Sequence, residues 1–266
     1  MATAAFGAGP FAPAAGQPGS TAISMDDPRL VGWATDISLQ RGYLDISQPM
    51  LGLVDYGAAE NALGKAQGNS MDVVSLGDGG VATLRFGRAI RDGDGPDFAV
   101  FENSFSDTYL ELAFVEVSSD GTNFVRFDAV SLTPTDTQKG AFDPLDPTDI
   151  HNLAGKYRQG YGTPFDLAEL AGSPELDIDH ISHIRVLDAV GSLDDAYATY
   201  DSQAHKVNDP WSSPFASGGF DLDAVGVLHQ APEPGSVVLL ATAAASFAWA
   251  MRRRRRAGKD GSAKAG

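Results

Sequence analysis

Leu110-Glu-Leu-Ala-Phe-Val-Glu-Val-Ser118, then Ser119-Asp-Gly-Thr122 and Asn123-Phe-Val-Arg-Phe127, is the stretch that decides the fold. Its first nine residues are apolar on both faces, as a strand at the centre of a sandwich must be. The Asp-Gly pair suits the positive φ of a hairpin turn, and the chain then returns as a second strand. Working outward, Val81–Phe86 alternates after the turn Gly77-Asp-Gly-Gly80, and Asp97–Phe101 follows the turn-rich Asp92-Gly-Asp-Gly-Pro96. His183–Val190 and Phe220–Leu228 read as two later strands. Helix is minor, at Ala58–Ala66 and Phe165–Leu170. Short strands separated by frequent turns predict an all-β fold, an antiparallel β-sandwich or jelly roll.

Composition narrows the function. The 266 residues carry a formal charge of −16 and no cysteine. The stretch from Arg252 onward holds seven basic residues and one acid; removing it from totals of 19 and 35 leaves 12 and 34, a body near −22. So acidic a body excludes nucleic acid and anionic lipid as partners and suits divalent cations. The missing cysteines exclude disulfides, thiolate zinc and thiol catalysis.

The C-terminus has its own pattern. Pro232-Glu233-Pro234 precedes an apolar run, Gly235–Met251, and then Arg252, Arg253, Arg254, Arg255 and Arg256. Prolines keep the first element extended. Arginines favour the cytoplasmic side, which places the body outside the inner membrane. The span is expected as one C-terminal transmembrane helix, although 17 residues reach only about 25 Å against a hydrocarbon core of about 30 Å. These residues resemble the PEP-CTERM sorting domain. The resemblance implies handling by an exosortase at the inner membrane and then release to the cell surface. A plain C-terminal anchor is the alternative. Met1–Gln17 has no basic, apolar export signal, so the true start is expected upstream. The divisions expected are a flexible segment 1–25, a β domain 26–228, a sorting and anchor segment 229–256, and a cytoplasmic tail 257–266.

Phe114–Phe124 is similar to the central hairpin of galactose-binding-like β-sandwiches, and Gly219–Val225 resembles their last strand. DFAVFEN, ELAFVEVSSDG, GTPFDL and GGFDLDAV together look like bacterial surface proteins that carry terminal sorting domains. The resemblance implies fold and location more than activity.

Candidate sites follow from residue type. Asp97, Glu102 and Asn103 flank one strand, and Asp221 and Asp223 share a face of another, because residues two apart in a strand do so. Calcium takes six to eight oxygen ligands, so this set is a candidate Ca²⁺ site. In galactose-binding-like modules Asp223 matches an acidic calcium position. Turn and backbone hydrogen bonding is the competing explanation. Trp211, with nearby Phe215, could stack a sugar ring, with His205 and Asp209 in the same loop; Tyr157 and Tyr161 form a second exposed-loop candidate. Trp211 as a core plug competes. Arg185 and Asp188, three apart, should face opposite ways and meet separate partners in buried ion pairs. No nucleophile elbow, HExxH or phosphate loop is present. Glu102 with Glu111 is a weak glycosidase-like carboxylate pair. The reading is therefore an exported, non-enzymatic surface or matrix protein that binds carbohydrate or extracellular polysaccharide. A matrix component without a small ligand is the alternative, and a carbohydrate-active hydrolase a remoter one.

Overall fold

The computed structural model describes residues 9–213 and 215–232. The chain divides into two units, 1–230 and 231–266; of the second, Ala231 and Pro232 are described. Glu233, Pro234, the apolar run and Arg252–Arg256 lie outside the described residues. Among the described residues, no helix is long and apolar enough to cross a membrane.

The body is all-β and antiparallel. Its strands are β1 Ile23–Ser24, β2 Gly32–Gln40, β3 Val74–Ser75, β4 Val81–Ile90, β5 Phe98–Glu102, β6 Ala113–Ser118, β7 Val125–Arg126, β8 Val130–Ser131, β9 Ile150–His151, β10 Tyr161–Phe165, β11 Ile181–Asp188 and β12 Asp221–Val227. Ten of them form one sheet in the order β1-β10-β5-β12-β2-β4-β11-β6-β7, with β3 on β12; β8 and β9 pair separately. Two independent sheets are the simplest form of a sandwich, but here the layers are continuous through β2, giving a curled half-barrel. β2 pairs with β12 only through Gly32 and Trp33, then with β4 from Ala34 to Gln40. A register shift between Ala34 and Asp36 bends it at that corner, as bulges do where a strand changes layers.

Curling brings Phe98, Val100, Leu222 and Val225 against Leu84, Val115, Ile184 and Val186 in one core. Phe98 stacks on Phe165 at 5.3 Å and meets Phe127 edge-on at 5.9 Å. The outer faces are covered too. Ala99, Phe101 and Ala224 pack with Ile23 and Trp33, while Leu112 and Phe114 pack with Leu145, Ile150 and Leu153. Double-sided burial is why β5, β6 and β12 are apolar on both faces.

The hairpin after β6 forms as read. Gly121 has φ 76°, and Asp120 Oδ1 accepts the backbone N–H groups of Thr122 and Asn123, both at 2.8 Å. Both expected helices are single 3₁₀ turns, Ala59–Ala62 and Leu167–Leu170. In the segment expected as flexible, the described residues from Gly9 contact the body: β1 pairs with β10, and Gly9 donates to Thr148 Oγ1 at 2.7 Å. Arg185 and Asp188 do have separate partners. Arg185 reaches Glu116 at 3.1 Å over the Phe124 ring. Asp188, expected in an ion pair, is held by backbone N–H groups instead.

Phe98→Ala should lower unfolding free energy by about 3–5 kcal/mol through lost burial and a cavity. Val31→Ala, at an exposed position, should stay within about 0.5 kcal/mol. Equilibrium denaturation of both variants checks the assignment of the core.

Candidate functional site

One end of the curled sheet collects carboxyls. β5 ends at Glu102 where its antiparallel neighbour β12 begins at Asp221, and β11 ends at Asp188 where β6 begins. Asp78 precedes β4, Glu111 precedes β6, and Asp209 comes from the loop before β12. All six are buried. Asp188 Oδ2 accepts from Gly79 N at 3.0 Å and Oδ1 from Phe220 N at 2.8 Å. A Cβ on Gly219 would lie 2.6 Å from Asp188 Oδ1, and its φ of 69° also demands glycine. Asp209 accepts from Leu112 N, and Asp78 Oδ2 accepts from Ile46 N at 2.8 Å and Trp211 Nε1 at 2.9 Å. Asp221 accepts from Ser75 Oγ and, at 3.0 Å, from Asn103 Nδ2. Glu102 Oε2 accepts from Ser104 N at 2.7 Å, while its Oε1 is buried without a partner. Glu111 Oε1 meets Tyr109 Oη at 3.4 Å.

Among the described residues no lysine, arginine or histidine is paired to any of these carboxyls. Burial, with like charge nearby, therefore moves them upward. Asp188 is pushed up to about 8 and Asp221 to about 6 by burial. Glu102, Glu111 and Asp209 rise well above the carboxylate range for the same reason. Neighbouring carboxylates add to the rise: Glu111 feels Asp221, Glu102, Asp209 and Asp188.

The five residues expected to gather around calcium are divided. Glu102, Asn103 and Asp221 come together. Asp97 sits before β5, about 16 Å along the strand from Glu102. There it faces His229 Nδ1 at 2.7 Å and accepts from Leu167 N at 2.7 Å. Carboxylate oxygens of Asp97, Asp92 and Asp166 lie within 4.8 Å of one another. A bulge breaks the register between Asp221 and Asp223: Leu222 pairs with Glu102 but Ala224 pairs with Phe101. The two oxygens of Asp223 accept from Gln67 N and Gly68 N, both at 2.9 Å.

The aromatic candidates are divided as well. Trp211 points its indole N–H into the acidic end and sits beside Tyr197 at 6.5 Å. Asp209 is buried, and His205 faces Asp201 at 3.2 Å. Tyr157, expected in an exposed loop, is buried, with its Oη 2.9 Å from Thr21 Oγ1; Tyr161 packs under Arg158. Phe215 joins a different set. Phe105 and Tyr109 stack at 4.5 Å, Tyr109 and Phe142 lie 5.9 Å apart, and Phe142 and Phe215 5.5 Å apart. Phe105, Phe142 and Phe215 are 60%, 64% and 42% exposed. A hollow of about 180 Å³ lies among Phe105, Ser106, Thr108, Tyr109, Phe142 and Pro144. Phe105 and Phe142 each stand alone in polar sequence, so only the fold reveals the strip.

The acidic end makes stability depend on pH. An acid with a raised folded pKa holds its proton more tightly folded than unfolded. Its contribution is complete below the unfolded pKa, near 4, and is lost as pH rises through 6 to 8. His151 and His183, lowered by burial, oppose this at acid pH but are outnumbered. In EDTA, unfolding free energy should therefore be higher at pH 5 than at pH 8. A metal-free protein that gains stability over that interval would contradict this account.

Comparison with known proteins places the second unit. Residues 230–255 match the PEP-CTERM protein-sorting motif. No curated protein matches the chain. The tail thus marks an exported protein, processed through exosortase at the membrane.

Proposed function

We propose that the body is a non-enzymatic, galactose-binding-like module that binds extracellular polysaccharide once its tail has routed it to the cell surface. The observation that carries this reading is the strip Phe105–Tyr109–Phe142–Phe215. Three exposed rings gathered with half-buried Tyr109 are costly in water, and patches of this kind mark binding sites. The solvent-facing parts of Phe105, Phe142 and Phe215 offer aromatic carbon on which the C–H faces of a pyranose can stack. Ser106 and Thr108 supply hydroxyls beside them.

Calcium belongs to this reading as a structural ion under the strip. Glu102, Asn103 and Asp221, with Glu111 beside them, form an all-oxygen donor set of the kind hard cations take, and the unpartnered Glu102 Oε1 is the oxygen such an ion would satisfy. Burial of Glu102 and Glu111 supports the non-enzymatic reading, because a glycosidase pair must reach both substrate and water. The same rings could instead hold copies of the protein together in a matrix.

Affinity electrophoresis through gels containing different polysaccharides separates these readings. Retention by at least one is expected, with Phe105→Ala and Phe142→Ala each weakening it about tenfold or more, a loss of 1.4 kcal/mol or more, at unchanged melting temperature. Full retention by both variants would remove the strip from the account. No retention in any gel would favour the matrix reading.

At pH 8, 1 mM calcium should stabilise the protein by about 2.7 kcal/mol if Kd is about 10 μM. The gain should be smaller at pH 5, where protons already neutralise the site, and absent in Glu102→Gln. Asp223→Ala should destabilise equally with or without calcium, because its bonds go to the backbone. Melting curves with EDTA and with calcium decide both points.

A further inference from the structure

A separate cleft of about 620 Å³ opens between the N-terminal segment and the β9–β10 region. One wall is Phe11, stacked on His151 at 5.0 Å with planes 10° apart. Phe11 is fixed by its backbone N–H, which donates to Thr148 O at 3.1 Å. Lys156 and Thr163 line the interior. Lys156 is 5% exposed and donates to Ile150 O at 2.7 Å. An ammonium carries three donors, and among the described residues no carboxylate pairs with this one. That is unusual in a chain with 35 acidic residues. Thr163 is 3% exposed, and its Oγ1 has no partner. A buried cation that no carboxylate touches, with Asp146 near enough only to favour its charge, and a buried hydroxyl without a hydrogen-bond partner among the described residues both line one cleft, and each leaves a desolvation cost that a ligand would offset.

We propose that this cleft is a second binding site, which takes a small ligand by its carboxylate on Lys156, with Thr163 bonding an adjacent hydroxyl and the Phe11–His151 pair flanking the ligand. It is distinct from the aromatic strip and stands without the polysaccharide reading. A neutral polyol would leave the ammonium uncompensated, and a dianion would meet Asp166 and Glu169 at the rim. The charged or titratable groups around Lys156 are Asp146, His151, Tyr157, whose ring centre lies 5.5 Å from the ammonium, Asp166, Glu169 and Arg29, the last already bound to Asp27 at 2.7 Å. Burial lowers Lys156 to about 8. Below that pH the ammonium is present; above it, each further pH unit removes about nine-tenths of the binding-competent form.

Isothermal titration of the full chain with sodium glucuronate and with glucose, from pH 6.5 to 9.5, tests the site. Glucuronate should bind with constant affinity below about pH 8 and about tenfold more weakly per unit above it. Glucose should bind at least about tenfold more weakly. Lys156→Gln should abolish glucuronate binding and Thr163→Val should weaken it, while Phe105→Ala and Phe142→Ala should leave it unchanged. Should Lys156→Gln fail to fold, the pH profile of the unsubstituted protein still decides. Absence of saturable glucuronate binding at pH 7, a flat profile, equal affinity for glucose, or loss in the strip variants would each overturn the proposal.

Discussion

The carboxyl of Asp188 ties the two halves of the curled sheet together. It lies at the end of β11 and holds Gly79 at the approach to β4 and Phe220 at the approach to β12. Both are backbone donors that would otherwise be stranded where three chain segments converge. A carboxyl offers one oxygen to each donor, where an amide of that size would offer only one in all. The cost is a buried acid, and once it is buried its neighbours Asp78, Asp209, Glu111 and Asp221 share the same poorly solvated space. The acidic end is thus a consequence of closing the half-barrel with carboxylates, and the exposed rings sit on that end through Tyr109 and Glu111.

The sequence was most readable where burial is two-sided. The β6 stretch and its Asp-Gly hairpin, β5 and β12 are legible because uninterrupted apolar runs and turn chemistry are local signals. β2 is not, since only Ala34 of its residues is buried and its alternation is faint. β10 is masked by Pro164, tolerated because β1 covers only Ser24 and Ile23 opposite Tyr161 and Gly162. The bend in β2 depends on a bulge, which shifts register without any marker in composition.

The site was legible in part. Glu102, Asn103 and Asp221 meet because strand ends meet. Asp223 departs because the two-residue periodicity that paired it with Asp221 fails across a bulge. Asp97 departs because five residues of extended chain carry it about 16 Å from Glu102, to the other end of β5. Glu111, Asp188 and Asp209 join the same buried set, although their sequence positions suggested a carboxylate pair, an ion pair and a sugar-binding loop. The aromatic strip joins residues from 105 to 215, and pairings of that kind exist only in the folded chain.

The placement of β12 has a consequence in time. It lies between β5 and β2, in the middle of the sheet, yet it is the last strand of the body to be synthesised. Its partners Phe98–Glu102 wait more than 100 residues for it. Contacts so distant in sequence form late and slowly. The central hydrogen-bond ladder cannot close until residue 227 is out, and the sorting motif begins at residue 230. Completion of the sheet and delivery of the tail are therefore nearly simultaneous events. The last few residues that the sheet needs and the first residues of the chain's own address are thus almost the same stretch of polypeptide.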